Sequence, residues 1–328
     1  MSQQSTSLEI VSGQERALQA PPTLEELVSL FLEAQDVAPA SRRTYGRQLR
    51  QFLLWLPECG LSEPLSKQSG LVREDLLAYK QALLESGKSA RTVSGYLTAV
   101  RKFFSWLESN RVYPNVARDI KGARRPKGFA KDILTKEQLR QALDAINTRS
   151  SLEGLRDYAL FNLLARTGLR TIELHRAQVG DIRQEIHPQQ GPIRVLYVQG
   201  KGRDSKDDYV VLTEAAYEPL RDYLRSRGPL LPPEAPLFAS HSDRSKGQPL
   251  STRTIRAIVK EALRAVGLDD TRLTAHSLRH TAITMVVLAG GSLHDAQAMA
   301  RHRSSATTEG YFHNLKRLEN AAENLIDF

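Results

Sequence analysis

Residues 121–132 read KGARRPKGFAKD. Lys121, Arg124, Arg125, Lys127 and Lys131 fall here, with two glycines, a proline and no acid before Asp132. Glycine and proline at this density argue against a helix. A plain linker has no need of so many cations, so the stretch reads as a basic strap between two domains. A protein that encircles a duplex would need such a strap. Lys121, Arg124, Arg125 and Lys127 are therefore candidate phosphate contacts.

Toward the N-terminus, residues 22–118 read as four short helices. PPTLEELVSLFLEAQ begins one, with prolines at the front, Thr23 as N-cap and Glu25 and Glu26 in the first turn. In the second, Tyr45, Leu49, Phe52, Leu53 and Leu56 share one arc. Arg42, Arg43, Arg47 and Arg50 share the adjoining arc without an acid among them. A solvated face normally mixes signs, so this face reads as a phosphate-contacting one. The third helix is closed by Gly87. The fourth turns Val93, Leu97, Val100, Phe104 and Leu107 inward and carries Ser94, Thr98, Arg91, Arg101 and Lys102 on its other side. Small hydroxyls flanked by bases suit a DNA backbone, though an ordinary helix exterior has the same look. Arg91, Thr98 and Arg101 are the candidates there.

Toward the C-terminus, residues 134–328 read as mainly helical with one small antiparallel sheet. LRDYALFNLLARTG is a fully buried helix stopped at Gly168. Two or three strands follow in GDIRQEI, IRVLYVQ and DDYVVL, the last two joined by GKGRDSK. The fold class expected is thus mainly α: a four-helix domain and a mixed, mostly α domain.

The whole chain has 328 residues, which at about 150 per domain fits two domains. Lys and Arg outnumber Asp and Glu by 46 to 37, a net charge of +9 that favours a polyanionic partner. Cys59 is alone, so no intramolecular disulfide can form; a reducing, cytoplasmic setting is expected. MSQQSTSLEIVSG has no apolar signal region, and no apolar run approaches the roughly 18 residues of a membrane span. Residues 1–21, rich in Ser and Gln, are expected to be disordered.

Four clusters in the second half are not explained by packing. ARTGLRTIEL puts Arg170 just past the helix-ending Gly168, with Glu173 three residues on to hold it or cap the next helix. GKG puts Lys201 between Gly200 and Gly202 in a hairpin turn. TAHSLRHT puts His276 and Arg279 on one face of a turn. ARHRSSATTEGYFH places His302 nine residues before Tyr311, in a segment too rich in hydroxyls to be core.

Taken singly, each has a bland reading: an ion pair, a solvated lysine, a surface histidine. His276 and His280 have zinc-like spacing, but Arg279 beside them would repel a cation. Together, two arginines, a lysine, two histidines and a tyrosine, with no carboxylate pair, describe a metal-free site for a phosphodiester. Arginine forks clamp non-bridging oxygens and place charge where the transition state gathers it. A tyrosine of pKa about 10 becomes a nucleophile beside a base in a cationic pocket. A loop-borne lysine can protonate the leaving oxygen.

The order Arg…Lys…His-x-x-Arg…His…Tyr, within TGLRTIEL, GKG, HSLRHT and the His302–Tyr311 spacing, resembles the tyrosine recombinase (phage integrase) family over about residues 22–328. The resemblance implies that Arg170, Lys201, His276, Arg279, His302 and Tyr311 are the active-site positions, with Glu173 as acidic companion. It implies a SAM-like core-binding domain over 22–118, a linker over 119–133 and a catalytic domain with a C-terminal tail over 134–328. It also implies strand exchange through a 3′-phosphotyrosyl link and a Holliday junction, with neither metal nor other cofactor. The implied partner is double-stranded DNA with short inverted-repeat core sites. The protein would be a monomer or weak dimer when free and a homotetramer on DNA. A tail exchanged between subunits and an accessory directionality factor are further partners that the resemblance allows; a tail packed on its own domain is the other reading.

The core-binding segment is expected to start near residue 22, and no arm-binding domain is expected ahead of it. That points to an Xer-like or mobile-element recombinase. A type IB topoisomerase and a DNA-binding relative without cleavage are the alternatives. One departure stands out: the family commonly has Leu-Gly before the second His, and this chain has Ala300-Arg301. Arg301 would touch a phosphate or alter the turn.

Overall fold

The computed structural model describes residues 22–58, 60–61, 64–66, 70–124, 133–146, 148, 151–200, 202–302, 304–305 and 308–310. The expectations for residues 1–21, Cys59 and the C-terminal tail lie outside these residues. The chain divides into two compact units, residues 1–127 and 128–328. It is mainly α, with one helical unit and one mixed unit.

The first unit holds α1 (Leu24–Glu33), α2 (Pro39–Glu58), α3 (Arg73–Glu85) and α4 (Ala90–Ser109). Thr23 caps α1 reciprocally: its hydroxyl accepts the Glu26 N–H at 3.2 Å, and the Glu26 carboxylate accepts the Thr23 N–H at 2.7 Å. Gly87, past the end of α3, takes the left-handed φ of 74° that such a stop requires. The inward faces are those the periodicity predicts. Leu49, Phe52 and Leu56 of α2 are buried, as are Val93, Leu97, Val100, Phe104 and Leu107 of α4.

The core between them is aromatic. Phe52 meets Tyr79 edge-on at 5.0 Å between centroids, and Phe31 meets Phe103 at 5.5 Å. Such edge-to-face pairs add about 0.5–1.5 kcal/mol each to the burial of the rings. Ile120 and Ala123, within the residues read as linker, are buried in this same core. Gly122 permits the approach, since a Cβ there would come within 2.7 Å of the Ser94 hydroxyl.

The second unit runs α5 (Lys136–Asp144), α6 (Leu152–Thr167), α7 (Thr171–Arg176), β1 (Ile182–His187), β2 (Gly191–Val198), β3 (Asp208–Val211), α8 (Glu214–Arg227), α9 (Thr252–Arg264), α10 (Ala275–Leu288) and α11 (Leu293–Ala300). The strands pair antiparallel in the order β1–β2–β3, with Ile182 opposite Leu196 and Val195 opposite Val211. As read from the sequence, α6 is buried along its length. It packs against α8, α9 and α10.

Pro219 lies inside α8 and cannot donate to the Ala215 carbonyl one turn back. Asn162 of α6 takes that carbonyl instead, donating to it at 2.9 Å, and its own oxygen accepts from Arg166 at 2.8 Å. The buried amide thus repairs the helix bond that proline removes. Among the described residues, no helix is long and apolar enough to cross a membrane.

Asn162→Ala should lower stability by about 1–3 kcal/mol, the cost of an orphaned buried carbonyl. Adding Pro219→Ala should recover part of that loss, because residue 219 then has an N–H for the Ala215 carbonyl. Denaturant unfolding of both variants measures it. Equal stability of the single and double variants would show that the carbonyl was never the issue.

Candidate active site

The site is built where four helix ends meet. The first is the C-terminus of α6, stopped by Gly168 in the left-handed conformation (φ 60°, ψ 25°). Leu169 is buried, and Arg170 becomes the N-cap of α7. Glu173, fully buried on α7, serves Arg170 twice. Its Oε2 accepts the Arg170 backbone N–H at 2.8 Å, and its Oε1 accepts the guanidinium Nη1 at 2.7 Å. Both roles the sequence allowed for Glu173, holding the guanidinium and capping the helix, are filled at once.

Arg279 comes from α10 and is almost wholly buried. Its Nη1 donates to the Gly168 carbonyl at 2.5 Å, and its Nη2 donates to the Ala300 carbonyl. His276 lies three residues earlier on α10, exposed at its first turn. Its ring meets that of His280 edge-on at 4.3 Å.

The fourth end is that of α11, which the sequence reading did not place. Its signal was present in SLHD: Ser292 and Asp295 cap one another at 2.8 and 3.1 Å. At its C-terminus Arg301 stands in the left-handed region, with φ 51°. The family's usual glycine suits that conformation, and here arginine adopts it. Of the two expectations for Arg301, phosphate contact or an altered turn, neither describes where its side chain goes. Its guanidinium is buried, donating to Glu173 Oε2 at 2.7 Å and to the Met299 carbonyl at 2.8 Å. The Arg301 carbonyl accepts from Arg170 Nη2 at 3.5 Å. His302 follows, its Nδ1 2.9 Å from the hydroxyl of the buried Thr308.

Arg170, Glu173, Arg279 and the turn bearing His302 are therefore joined by hydrogen bonds. Beside them opens a cleft of about 630 Å³ whose lining includes Arg166, Arg203, His294, Arg301 and His302. Lys201 and Tyr311 lie outside the described residues. The turn that carries Lys201 is anchored on both sides. The Gly200 carbonyl accepts from Arg176 at 3.4 Å, and Lys206 is paired with Asp181 at 2.6 Å and bonded to Gln178 at 2.7 Å.

In the first unit, Arg42, Arg43, Arg47 and Arg50 are exposed along α2, and none forms an ion pair among the described residues. Arg42 donates to the Gln35 carbonyl at 3.0 Å. Arg91, Ser94, Thr98, Arg101 and Gly122 line a shallow groove of about 590 Å³. Lys121 and Arg124 are exposed, whereas Arg125 and Lys127 lie outside the described residues.

The phage integrase family model matches residues 132–317, and the N-terminal SAM-like domain of phage integrases matches residues 25–111. The chain belongs to the phage integrase family, the tyrosine recombinases. It is 30% identical to a tyrosine recombinase of Synechococcus elongatus over 89% of this chain and 90% of that one. It is 26% identical to tyrosine recombinase XerD of Listeria monocytogenes, covering 89% and 94% of the two chains. Among solved structures, the fold is similar to XerH site-specific recombinase bound to palindromic difH substrate, with a TM-score of 0.70 at 22% identity over 90% and 83% of the chains. It is also similar to a lambda integrase dimer bound to a COC′ core site, with a TM-score of 0.66 at 18% identity over 88% and 95%.

Burial pushes the Glu173 carboxyl up, but the Arg301 charge and the Arg170 hydrogen bonds outweigh it and hold the group below its ordinary value. A lowered folded-state value stabilises the fold above the unfolded pKa of about 4.3 and is lost as pH falls through the folded one. Glu173→Gln should therefore cost about 3–5 kcal/mol at pH 7, since Arg301 is left buried without its counter-charge. The gap between variant and wild type should close on acidification. Equal unfolding midpoints at pH 7 would contradict the pairing.

Proposed function

We propose that this chain is a site-specific DNA recombinase that cleaves and rejoins DNA through Tyr311. The observation that carries the reading is the joining of Arg170, Arg279 and the His302 turn by hydrogen bonds in one cationic site of a tyrosine recombinase. In this reading Arg170 and Arg279 release their present carbonyl partners and clamp the non-bridging oxygens of the scissile phosphate. His276 and His302 complete the cationic pocket and supply the base that the tyrosine needs. The Tyr311 oxygen loses its proton and bonds to phosphorus, while the bond from phosphorus to the 5′-oxygen breaks. Lys201 gives the departing 5′-oxygen a proton. The phosphodiester energy stays in the 3′-phosphotyrosyl bond, so the free 5′-hydroxyl of a partner strand reverses the step without ATP.

Two such rounds through a Holliday junction would exchange both strands, with four copies of the chain on paired core sites. Relatives named XerC and XerD and a complex titled as a transposon integrase with transposon right end DNA favour resolution of multimers or movement of an element. The exposed arginines of α2 and the strap would hold the duplex through its phosphates.

Tyr311→Phe keeps the ring and removes the attacking oxygen. On a nicked suicide substrate, wild type should accumulate a covalent protein–DNA adduct, and Tyr311→Phe should bind the same DNA without forming one. An adduct of undiminished yield in the variant would end the assignment.

Replacing Arg42, Arg43, Arg47 and Arg50 by Ala should weaken binding to all sequences alike. The slope of log K against log salt should flatten by about 0.9 for each phosphate that the variant no longer neutralises. An unchanged slope would leave these residues as ordinary surface charge.

A further inference from the structure

We propose that Arg301 is a positioning residue for strand cleavage: its buried guanidinium shares Glu173 with Arg170, so that Arg170 keeps its aim and its charge for the scissile phosphate. The inference rests on the function proposed above. The starting observation is that three features of Arg301 are unfavourable. A left-handed φ of 51° costs a residue with a side chain about 1–2 kcal/mol. Its side chain is only 4% exposed, although it is a cation. Its Nε is buried with no hydrogen-bond partner among the described residues. A glycine would avoid all three. What the arginine gains is the 2.7 Å bond to Glu173 Oε2, while the Arg170 side chain holds the other oxygen, Oε1.

That bond changes the electrostatics of the clamp. A buried carboxylate with Arg170 as its one cation would neutralise the guanidinium meant for phosphate and draw it inward. With Arg301 present, two guanidiniums share one carboxylate, and the group keeps a net positive charge. The same bond ties the end of α11 to α7. The turn whose Ala300 and Arg301 carbonyls meet Arg279 and Arg170, and which leads into His302, is thereby held from its own side chain. Arg301 makes no demand on the phosphate itself.

The test is a double-mutant cycle on single-turnover cleavage of the suicide substrate, using the full chain with Arg301→Gly, Glu173→Gln and both together. Glycine accepts the backbone conformation, so Arg301→Gly isolates the side chain. DNA affinity of Arg301→Gly should stay within about twofold of wild type, while cleavage at saturating DNA slows about tenfold or more, as expected when a clamp is misplaced rather than removed. Arg301→Lys, which keeps the charge but not the fork, should recover part of that loss. In the Glu173→Gln background, Arg301→Gly should have a clearly smaller effect. Cleavage by Arg301→Gly within about twofold of wild type would overturn the proposal. So would an equal effect in the two backgrounds, since Arg301 would not then act through Glu173. If Arg301→Gly does not fold, the same cycle is run with Arg301→Lys, and additivity there overturns the proposal equally. A wild type that forms no adduct contradicts the proposed function itself, a different outcome.

Discussion

Arg279 holds the site together before any DNA arrives. It is a nearly buried cation whose partners include two backbone carbonyls, Gly168 at the end of α6 and Ala300 at the end of α11. A buried charge without such partners would cost several kcal/mol, so the two helix ends must stay where the guanidinium can reach them. Unfilled carbonyls at helix C-termini carry partial negative charge and are natural acceptors for a cation. Arg170, Arg301 and His302 hang on the same two ends. Arg170 follows Gly168 by two residues, and Arg301 and His302 follow Ala300 directly.

In the proposed function the site must be both firm and reactive, and this arrangement suits both. Arg279 is held by carbonyls, which are weaker partners than an anionic phosphate, and Arg170 by Glu173, with its second nitrogen only loosely on the Arg301 carbonyl at 3.5 Å. A carbonyl offers a guanidinium only a dipole, whereas a phosphate offers a full counter-charge and two oxygens for the planar fork. In the proposed function, an incoming scissile phosphate displaces these carbonyls while the helices that carry the arginines stay in place. Glu173 limits how far Arg170 can travel, since it holds both the backbone and the side chain of that residue.

Much of this was legible in the sequence because it is local. Thr23, Gly87 and Gly168 mark helix ends by their own conformational preferences, and the inward faces of α2 and α4 follow from period 3.6 alone. The candidate positions form an ordered motif in the sequence, and Glu173 three residues from Arg170 announced the pairing that the structure shows. What was not legible depends on contacts distant in the chain. Arg301 meets Glu173 across 128 residues, and Asn162 repairs the break at Pro219 by reaching Ala215 across 53. The helix α11 was missed because eight residues give too little periodicity, and only its capping pair betrays it.

The central claim is that fixed arginine charge, offered to the phosphate, makes cleavage possible at this site. It can be tested by removing the charge from the other side. A suicide substrate with a neutral methylphosphonate at the scissile position lacks the anionic oxygen that Arg170 would meet. Single-turnover cleavage is compared for wild type and Arg170→Ala on this substrate and on ordinary DNA. On the phosphate, Arg170→Ala should be slower by about a hundredfold, the effect of removing one strong transition-state interaction. On the methylphosphonate the two proteins should cleave at rates within about threefold of each other, because the transition state there carries one negative charge fewer and the oxygen that Arg170 would meet is gone. An equal loss on both substrates would show that Arg170 supports the fold and not the transition state.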